Sequence, residues 1–234
     1  MAKIALISDI HGNLPALEAV LEKLGQYKPD EWICLGDVVG YGPHPKECIN
    51  MIRERNIPCL LGNHDAGVSG LVSVNHFRDP NRRLIKITQN LLSEGEMDWL
   101  KNLPYKISHN SSWVAAHSSP IEPEKWNYVD SAFKARDILD NIEQDICFIG
   151  HTHIPSLVSE KIGTFNFIKG LKYLINPGSV GQSRDSDYRA SCCIVDIEKW
   201  KVDFYRVEYN SDKVISELVK LGFTRSESHH LMRY

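Results

Sequence analysis

Ile57-Pro58-Cys59-Leu60-Leu61-Gly62-Asn63-His64-Asp65 is the stretch from which the fold is read. Its apolar run is short enough for a buried strand, and it delivers an amide, an imidazole and a carboxylate at that strand's carboxyl end. Ligands gather at such ends in open α/β sheets. Taken alone, an Asn-His-Asp tripeptide such as Asn63-His64-Asp65 is usually just a polar turn. The arrangement recurs, however. Asp9-Ile10-His11 follows Ile4-Ala5-Leu6-Ile7, Gly36-Asp37 follows Trp32-Ile33-Cys34-Leu35, His117 follows Trp113-Val114-Ala115-Ala116, and Gly150-His151-Thr152-His153 follows Ile146-Cys147-Phe148-Ile149. Five apolar runs each end in residues of metal-ligating type.

Outward from these runs, the first third alternates strand and helix. A strand over Lys3–Ser8 precedes a helix whose stripe is Leu14, Leu17, Leu21 and Leu24, with Pro15 suited to its first turn. A strand over Trp32–Leu35, a Gly-rich turn over Gly36–Pro45, a helix over Lys46–Arg55 and a strand over Ile57–Leu61 follow. This order implies parallel strands joined by right-handed crossovers. Residues 66–80 lack periodicity and are expected to form a loop or cap beside the site; with helices over Arg82–Leu92 and Glu96–Leu100 they make an insertion around 66–103. Beyond it a hairpin is expected at Tyr105–His109 and Trp113–Ala116, a surface loop over Ser119–Asn127, and a helix over Ser131–Asn141. After His153 the pattern turns to antiparallel strands: Leu157–Lys161, Thr164–Lys169, Tyr173–Asn176, Ala190–Ile197 and Lys201–Tyr209. A helix over Asp212–Leu221 and an amphipathic tail, Arg225–Tyr234, close the chain. All 234 residues are read as one α/β domain.

Hydrophobic residues at 42% and charged residues at 24% exclude disordered and fibrous classes. A formal net charge of -3 argues against binding extended nucleic acid, which needs a basic footprint. The N-terminus enters a strand without a signal-peptide pattern, and no run reaches the ~18 apolar residues of a membrane span, so a cytoplasmic location without membrane contact is expected. The six cysteines include no C-x-x-C pair and are read as buried thiols.

Residues at i and i+2 of an extended segment point the same way, so Asp9 with His11, and His151 with His153, can each aim two side chains at one spot. Asp37, Asn63 and His117 add a carboxylate, an amide and an imidazole. Without a thiolate, this donor set suits manganese, iron, zinc or nickel. Seven side chains are too many for one tetrahedral ion and about right for two divalent ions sharing a carboxylate. Four neutral His, one Asn and two carboxylates leave such a pair near +2, which attracts a phosphate anion.

Asp9-Ile10-His11, Gly36-Asp37, Gly62-Asn63-His64-Asp65, His117 and Gly150-His151-Thr152-His153, in this order, resemble the calcineurin-like metallophosphoesterase superfamily. The resemblance implies a four-layer αββα sandwich of two mixed β-sheets flanked by helices. It implies that Asp9, His11, Asp37 and His153 hold one metal and Asp37, Asn63, His117 and His151 the other, with Asp37 bridging. Asn176-Pro177-Gly178-Ser179-Val180-Gly181 resembles the bacterial and archaeal small phosphodiesterase branch, and Gly36–Gly42 resembles relatives described as similar to diadenosine tetraphosphatases. Eukaryotic-type protein phosphatases carry an acid three positions after the bridging Asp, then Arg. This chain has Gly40 and Tyr41 there.

The reading is therefore hydrolysis of a small phosphodiester or nucleotide by a metal-bridging hydroxide. His64 is the candidate proton donor or phosphate ligand, against a supporting hydrogen-bond role. Asp65 is a candidate for orienting a neighbour. Asn13 and Arg184 are candidate substrate contacts, Arg184 against simple solvation. The alternatives are a protein serine/threonine phosphatase-like phosphomonoesterase, a nuclease, and a non-catalytic scaffold on the same fold.

Overall fold

The computed structural model describes residues 3–232. β1 (Lys3–Ile7) leads through a turn to α1 (Leu14–Gly25), and β2 (Glu31–Cys34) leads to α2 (Pro45–Glu54). Asn13 caps α1 by accepting from the Ala16 N–H at 3.2 Å, and Pro15 sits in the first turn, where no N–H is missed. Then come α3 (Asn63–Ser69), a 3-10 turn at Val74–His76, α4 (Asn81–Leu91) and α5 (Glu94–Lys101). Ser93 and Glu96 form a reciprocal capping box at the start of α5. β3 (Lys106–His109), β4 (Trp113–Ala116), α6 (Ala132–Asp140), β5 (Ile146–Phe148), β6 (Ser156–Ser159), β7 (Tyr173–Asn176), β8 (Ala190–Asp196), β9 (Lys201–Val207), α7 (Ser211–Lys220) and α8 (Arg225–Met232) complete the order.

Two mixed sheets result. The first has the order β2-β1-β8-β9, with β1 parallel to β2 and antiparallel to β8; the second has the order β3-β4-β5-β7-β6, with β4, β5 and β7 parallel. Alternation along the strands builds the layers. Ile4 and Leu6 of β1 face Trp113 and Ala115 of β4, Phe148 of β5 and Ile175 of β7 in a core between the sheets. Ala5 and Ile7 turn to the opposite face, against Leu17, Val20 and Leu24 of α1 and Ile49 and Ile52 of α2. On the far side, Val114, Cys147 and Leu174 pack under Ala135, Ile138 and Leu139 of α6. The chain is thus the four-layer αββα sandwich. Each fully buried Ile or Leu in it contributes ~1.5–3 kcal/mol over exposure.

Two expected strands are corrected. Ile57–Leu61 is extended but forms only one bridge, Cys34 with Cys59, through Cys34 N–H to the Pro58 carbonyl and Leu60 N–H to the Cys34 carbonyl. Pro58 has no N–H for a ladder, and Leu61 turns away to donate to the Pro104 carbonyl. Thr164–Lys169 forms no strand. Its backbone is held instead by the Tyr173 hydroxyl, which donates to the Asn166 carbonyl and accepts from the Ile168 N–H. The tail expected over Arg225–Tyr234 is helical through Met232, and its last two residues lie outside the described ones. No helix among the described residues is long and apolar enough to cross a membrane.

Candidate metal centre

All five turns meet at one edge of the sandwich. Asp9 N–H donates to the Gly36 carbonyl and His11 N–H to the Asp37 carbonyl, tying the turns after β1 and β2 together. Gly150 N–H donates to the His117 carbonyl, which does the same for the turns after β4 and β5. The extended geometry expected for Asp9, His11, His151 and His153 is not what converges them. Asp9, His11, Asp37, His151 and His153 all take left-handed backbone, with φ of 54°, 51°, 54°, 64° and 63°. Each such residue costs ~1–3 kcal/mol and persists only where its surroundings hold it.

Asp9, His11, Asp37, His117 and His153 each have one tethered end and one inward end. Asp9 Oδ2 accepts from Ser8 Oγ at 2.6 Å and from His151 N–H at 3.0 Å, which leaves Oδ1 facing in. Asp37 Oδ1 accepts from His64 N–H at 2.8 Å, which leaves Oδ2 3.3 Å from His117 Nε2 and 3.7 Å from His11 Nε2. The Nδ1 atoms of His11, His117 and His153 face the carbonyls of Val39, Leu35 and Gln182. A carbonyl only accepts, so each Nδ1 carries a proton and each Nε2 points inward. Gly62 makes the turn feasible, since a Cβ there would lie 2.0 Å from Asp37 Oδ1.

The inward atoms fit divalent ions. Asp9 Oδ1, Asn63 Oδ1, His117 Nε2 and His151 Nε2 are buried with no hydrogen-bond partner, a costly state that a cation relieves. His11 Nε2 and His153 Nε2 approach to 3.1 Å, and His153 Nε2 and Asp9 Oδ1 to 3.2 Å. Two donors each ~2.1 Å from one ion at 90–110° stand roughly 3.0–3.4 Å apart. Ligand atoms of Asp9, His11 and His153 cluster within 4.8 Å, as do those of Asp37, His117 and His151. A third such group joins His64 to His11 and Asp37, so His64 lies within ligand reach as well.

Electrostatics follow from burial and the two carboxylates. Burial opposes ionisation of Asp9 and Asp37, yet neighbouring histidines, His153 for Asp9 and His117 for Asp37, hold both well below the usual carboxylate range. Burial pulls His151 down to about 3 and His64 down to about 4, against the pull of Asp37. Burial also opposes the charge on His117, but Asp37 overcomes it and raises His117 to about 10. A cation bound beside Asp37 takes over that proton's role. Burial and Asp37 push Asp65 up to about 7, against the N–H donors of Val39 and Gly62.

The matching family description is the calcineurin-like phosphoesterase superfamily domain, over residues 2–200. The chain belongs to that superfamily. It is a metallophosphoesterase, hence a hydrolase of phosphoric esters by family. The crystal structure of a metallophosphoesterase from Sphaerobacter thermophilus superposes with a TM-score of 0.85 at 34% identity, covering 98% of both chains. An uncharacterised protein of Methanocaldococcus jannaschii is 38% identical over 231 residues, 93% of this chain and 92% of its own. The phosphodiesterase YfcE of Escherichia coli is 30% identical over 129 residues, 50% of this chain and 70% of its own.

The structure brings Asp9, His11, Asp37, Asn63, His117, His151 and His153 together with His64, and sets Arg184 at the same cleft. Asn13 stands apart. Its amide is spent on capping α1 and on donating to the Gly181 carbonyl at 3.0 Å, and it is fully buried, so it braces the turn after β1 and does not reach the cleft. Sequence reasoning missed Tyr41, Phe77 and Tyr128. Phe77 lies inside the loop expected over 66–80 and Tyr128 one residue past the loop expected over Ser119–Asn127, and no periodicity singles either out.

Proposed function

We propose that the chain hydrolyses a phosphodiester or a nucleotide, with two divalent ions held by Asp9, His11, Asp37 and His153 and by Asp37, Asn63, His117 and His151. The observation that carries this reading is the inward convergence of the orphaned atoms Asp9 Oδ1, Asn63 Oδ1, His117 Nε2 and His151 Nε2 on the space between Asp9 and Asp37, with Asp9 and His117 held from behind by Ser8, the His151 N–H and the Leu35 carbonyl. When bound, the ions supply the Lewis acidity that activates water and offsets charge on the phosphoryl oxygens.

The chain's own residues supply orientation and proton supply. His64 sits at the cleft with its ring packed against His11, Tyr41 and Phe77, at centroid distances of 4.8, 4.6 and 5.0 Å. Its Nδ1 has no partner, so the ring is held by packing, and the pull of Asp37 does not offset the burial that disfavours its charged form. His64 is thereby a hydrogen-bond donor to the leaving oxygen more than a strong acid. The cleft, of about 960 Å³, extends past the metal residues and is lined by aromatic and cationic groups, among them Phe77, Arg78, Lys125, Trp126 and Tyr128. An inorganic phosphate leaves most of that space empty, whereas a nucleotide uses both kinds of wall.

The test is a panel of a bis-aryl phosphodiester, a dinucleoside polyphosphate and a phosphoserine peptide, run on protein loaded separately with each candidate metal. Turnover of the first two above the third supports the reading. Metal-loaded protein that hydrolyses none of them would refute it.

A further inference from the structure

Resting on the phosphoester reading above, we propose that Tyr41 and Tyr128 are positioning residues that hold the Arg184 guanidinium across both candidate metal sites as a two-pronged phosphate anchor. The Tyr41 ring lies against His11, with centroids 4.5 Å apart and planes at 62°. The Tyr128 ring stacks on His151, with centroids 4.1 Å apart and planes at 25°. His11 belongs to one candidate site and His151 to the other. Both phenol oxygens accept from the same arginine, Tyr41 from Nη2 and Tyr128 from Nη1, each at 3.2 Å. The guanidinium is therefore slung between a neighbour of each site.

A donor count says what remains for a ligand. Guanidinium has five N–H groups. One, on Nε, goes to Gln182 Oε1 at 3.3 Å and two go to the phenols, which leaves one on each terminal nitrogen. Two N–H groups on adjacent nitrogens are the fork that grips two oxygens of one phosphate. All three tethers are neutral, and among the described residues no carboxylate pairs with Arg184. An acidic tether would have fixed the direction of the side chain while cancelling its charge. Phenols fix the direction and leave the charge for an anion. The cation comes from the loop after Ser179 and is steered to the site through Tyr41 and Tyr128.

The test is a double-mutant cycle on metal-loaded protein. Orthophosphate affinity by titration calorimetry, bound metal by elemental analysis, and KM and kcat on an aryl phosphodiester are measured for Tyr41→Phe, Tyr128→Phe, Arg184→Lys and the combinations. Phenylalanine keeps each ring on its histidine and removes only the tether. Each single tyrosine change is expected to weaken orthophosphate binding about 3–10-fold with metal content retained, and to raise KM more than it lowers kcat. In the Arg184→Lys background the same changes should shift binding less than about 2-fold, because there is no fork left to steer. Undiminished tyrosine effects in that background would overturn the proposal. So would loss of metal from either single tyrosine variant, which would mean that the rings hold the histidines and not the arginine. Wild-type protein that binds no orthophosphate would also overturn it. If wild type binds orthophosphate but cleaves no ester, the phosphoester reading fails while the binding cycle still decides the roles of Tyr41 and Tyr128.

Discussion

Asp65 Oδ2 accepts a hydrogen bond from the backbone N–H of Asp37 at 2.7 Å, so the turn bearing the shared candidate ligand is fixed by a residue 28 positions later. The same carboxylate accepts from Val39 N–H and Gly62 N–H, both at 3.1 Å. It binds the turn after β2 to the start of α3, and so sets Asp37 relative to Asn63. Asp65→Asn keeps one acceptor oxygen and turns an NH₂ group against a backbone N–H. The expected cost is ~1–3 kcal/mol in denaturant unfolding, with metal affinity falling ~10–100-fold. Unfolding curves and metal titrations unchanged from wild type would remove Asp65 from this role.

Asp37→Asn addresses the bridging assignment itself. Its Oδ2 faces both His11 and His117, so removing its charge is expected to weaken both ions and to abolish turnover. Elemental analysis reads the first effect directly. Two ions per chain together with full turnover would contradict the shared role.

Gly40 stands where no side chain fits. A Cβ at this position would lie 2.4 Å from His11 Nδ1 and 3.0 Å from His64 Nδ1, and φ is +150°. Gly40→Asp is therefore expected to displace the His11 ring, lower bound metal and destabilise the fold by ~1–3 kcal/mol. It should not create phosphoserine activity. A variant that gained phosphoserine hydrolysis with its metals intact would show that the site has room that its geometry denies.

Much of this architecture was legible because its signals are local. The Leu14-Leu17-Leu21-Leu24 stripe placed α1, four of the five apolar runs placed strands, and the polar ends of all five located the site. What was not legible depended on three-dimensional partners. The left-handed backbone at Asp9, His11, Asp37, His151 and His153 is imposed by cross-turn hydrogen bonds that no single segment encodes. Asn13 has the composition of a site residue, yet its amide is spent on Ala16 N–H and the Gly181 carbonyl, the latter 168 positions away. Ile57–Leu61 has strand composition but offers its neighbour only one bridge, owing to Pro58.

Metal removal gives a stability test independent of any substrate. A bound ion converts buried orphans such as Asp9 Oδ1 and His151 Nε2 into satisfied donors, and only the folded chain assembles them. An ion present at 100 times its dissociation constant stabilises by ~2.7 kcal/mol. At roughly 2–4 °C per kcal/mol for a chain of this size, chelation should lower Tm by about 5–11 °C per ion lost. Calorimetry with and without a chelator measures it. Identical melting curves, with elemental analysis confirming that metal was present and then stripped, would contradict the centre.

His64 makes the last outcome depend on the leaving group. Burial holds its imidazole down near 4 against Asp37, and its Nδ1 lacks the carboxylate that would favour the charged ring. Below its folded pKa the ring is charged, and above it the ring is neutral, so near pH 7 it offers a single N–H and little acid strength. An alkoxide leaving from phosphoserine needs a full proton, whereas an aryl oxide or a nucleotide leaving from an anhydride departs with a hydrogen bond. The expectation is that kcat/KM for an aryl phosphodiester or a dinucleoside polyphosphate exceeds that for phosphoserine peptides under one metal condition. His64→Ala should then cost ~10²–10⁴-fold in kcat on the substrate with the poorer leaving group, and distinctly less on the aryl ester. Bound metal has to be measured alongside, because His64 lies within ligand reach of His11 and Asp37. Loss of an ion from His64→Ala would make His64 a ligand, and equal losses on both substrates with the metals retained would remove it as the proton donor.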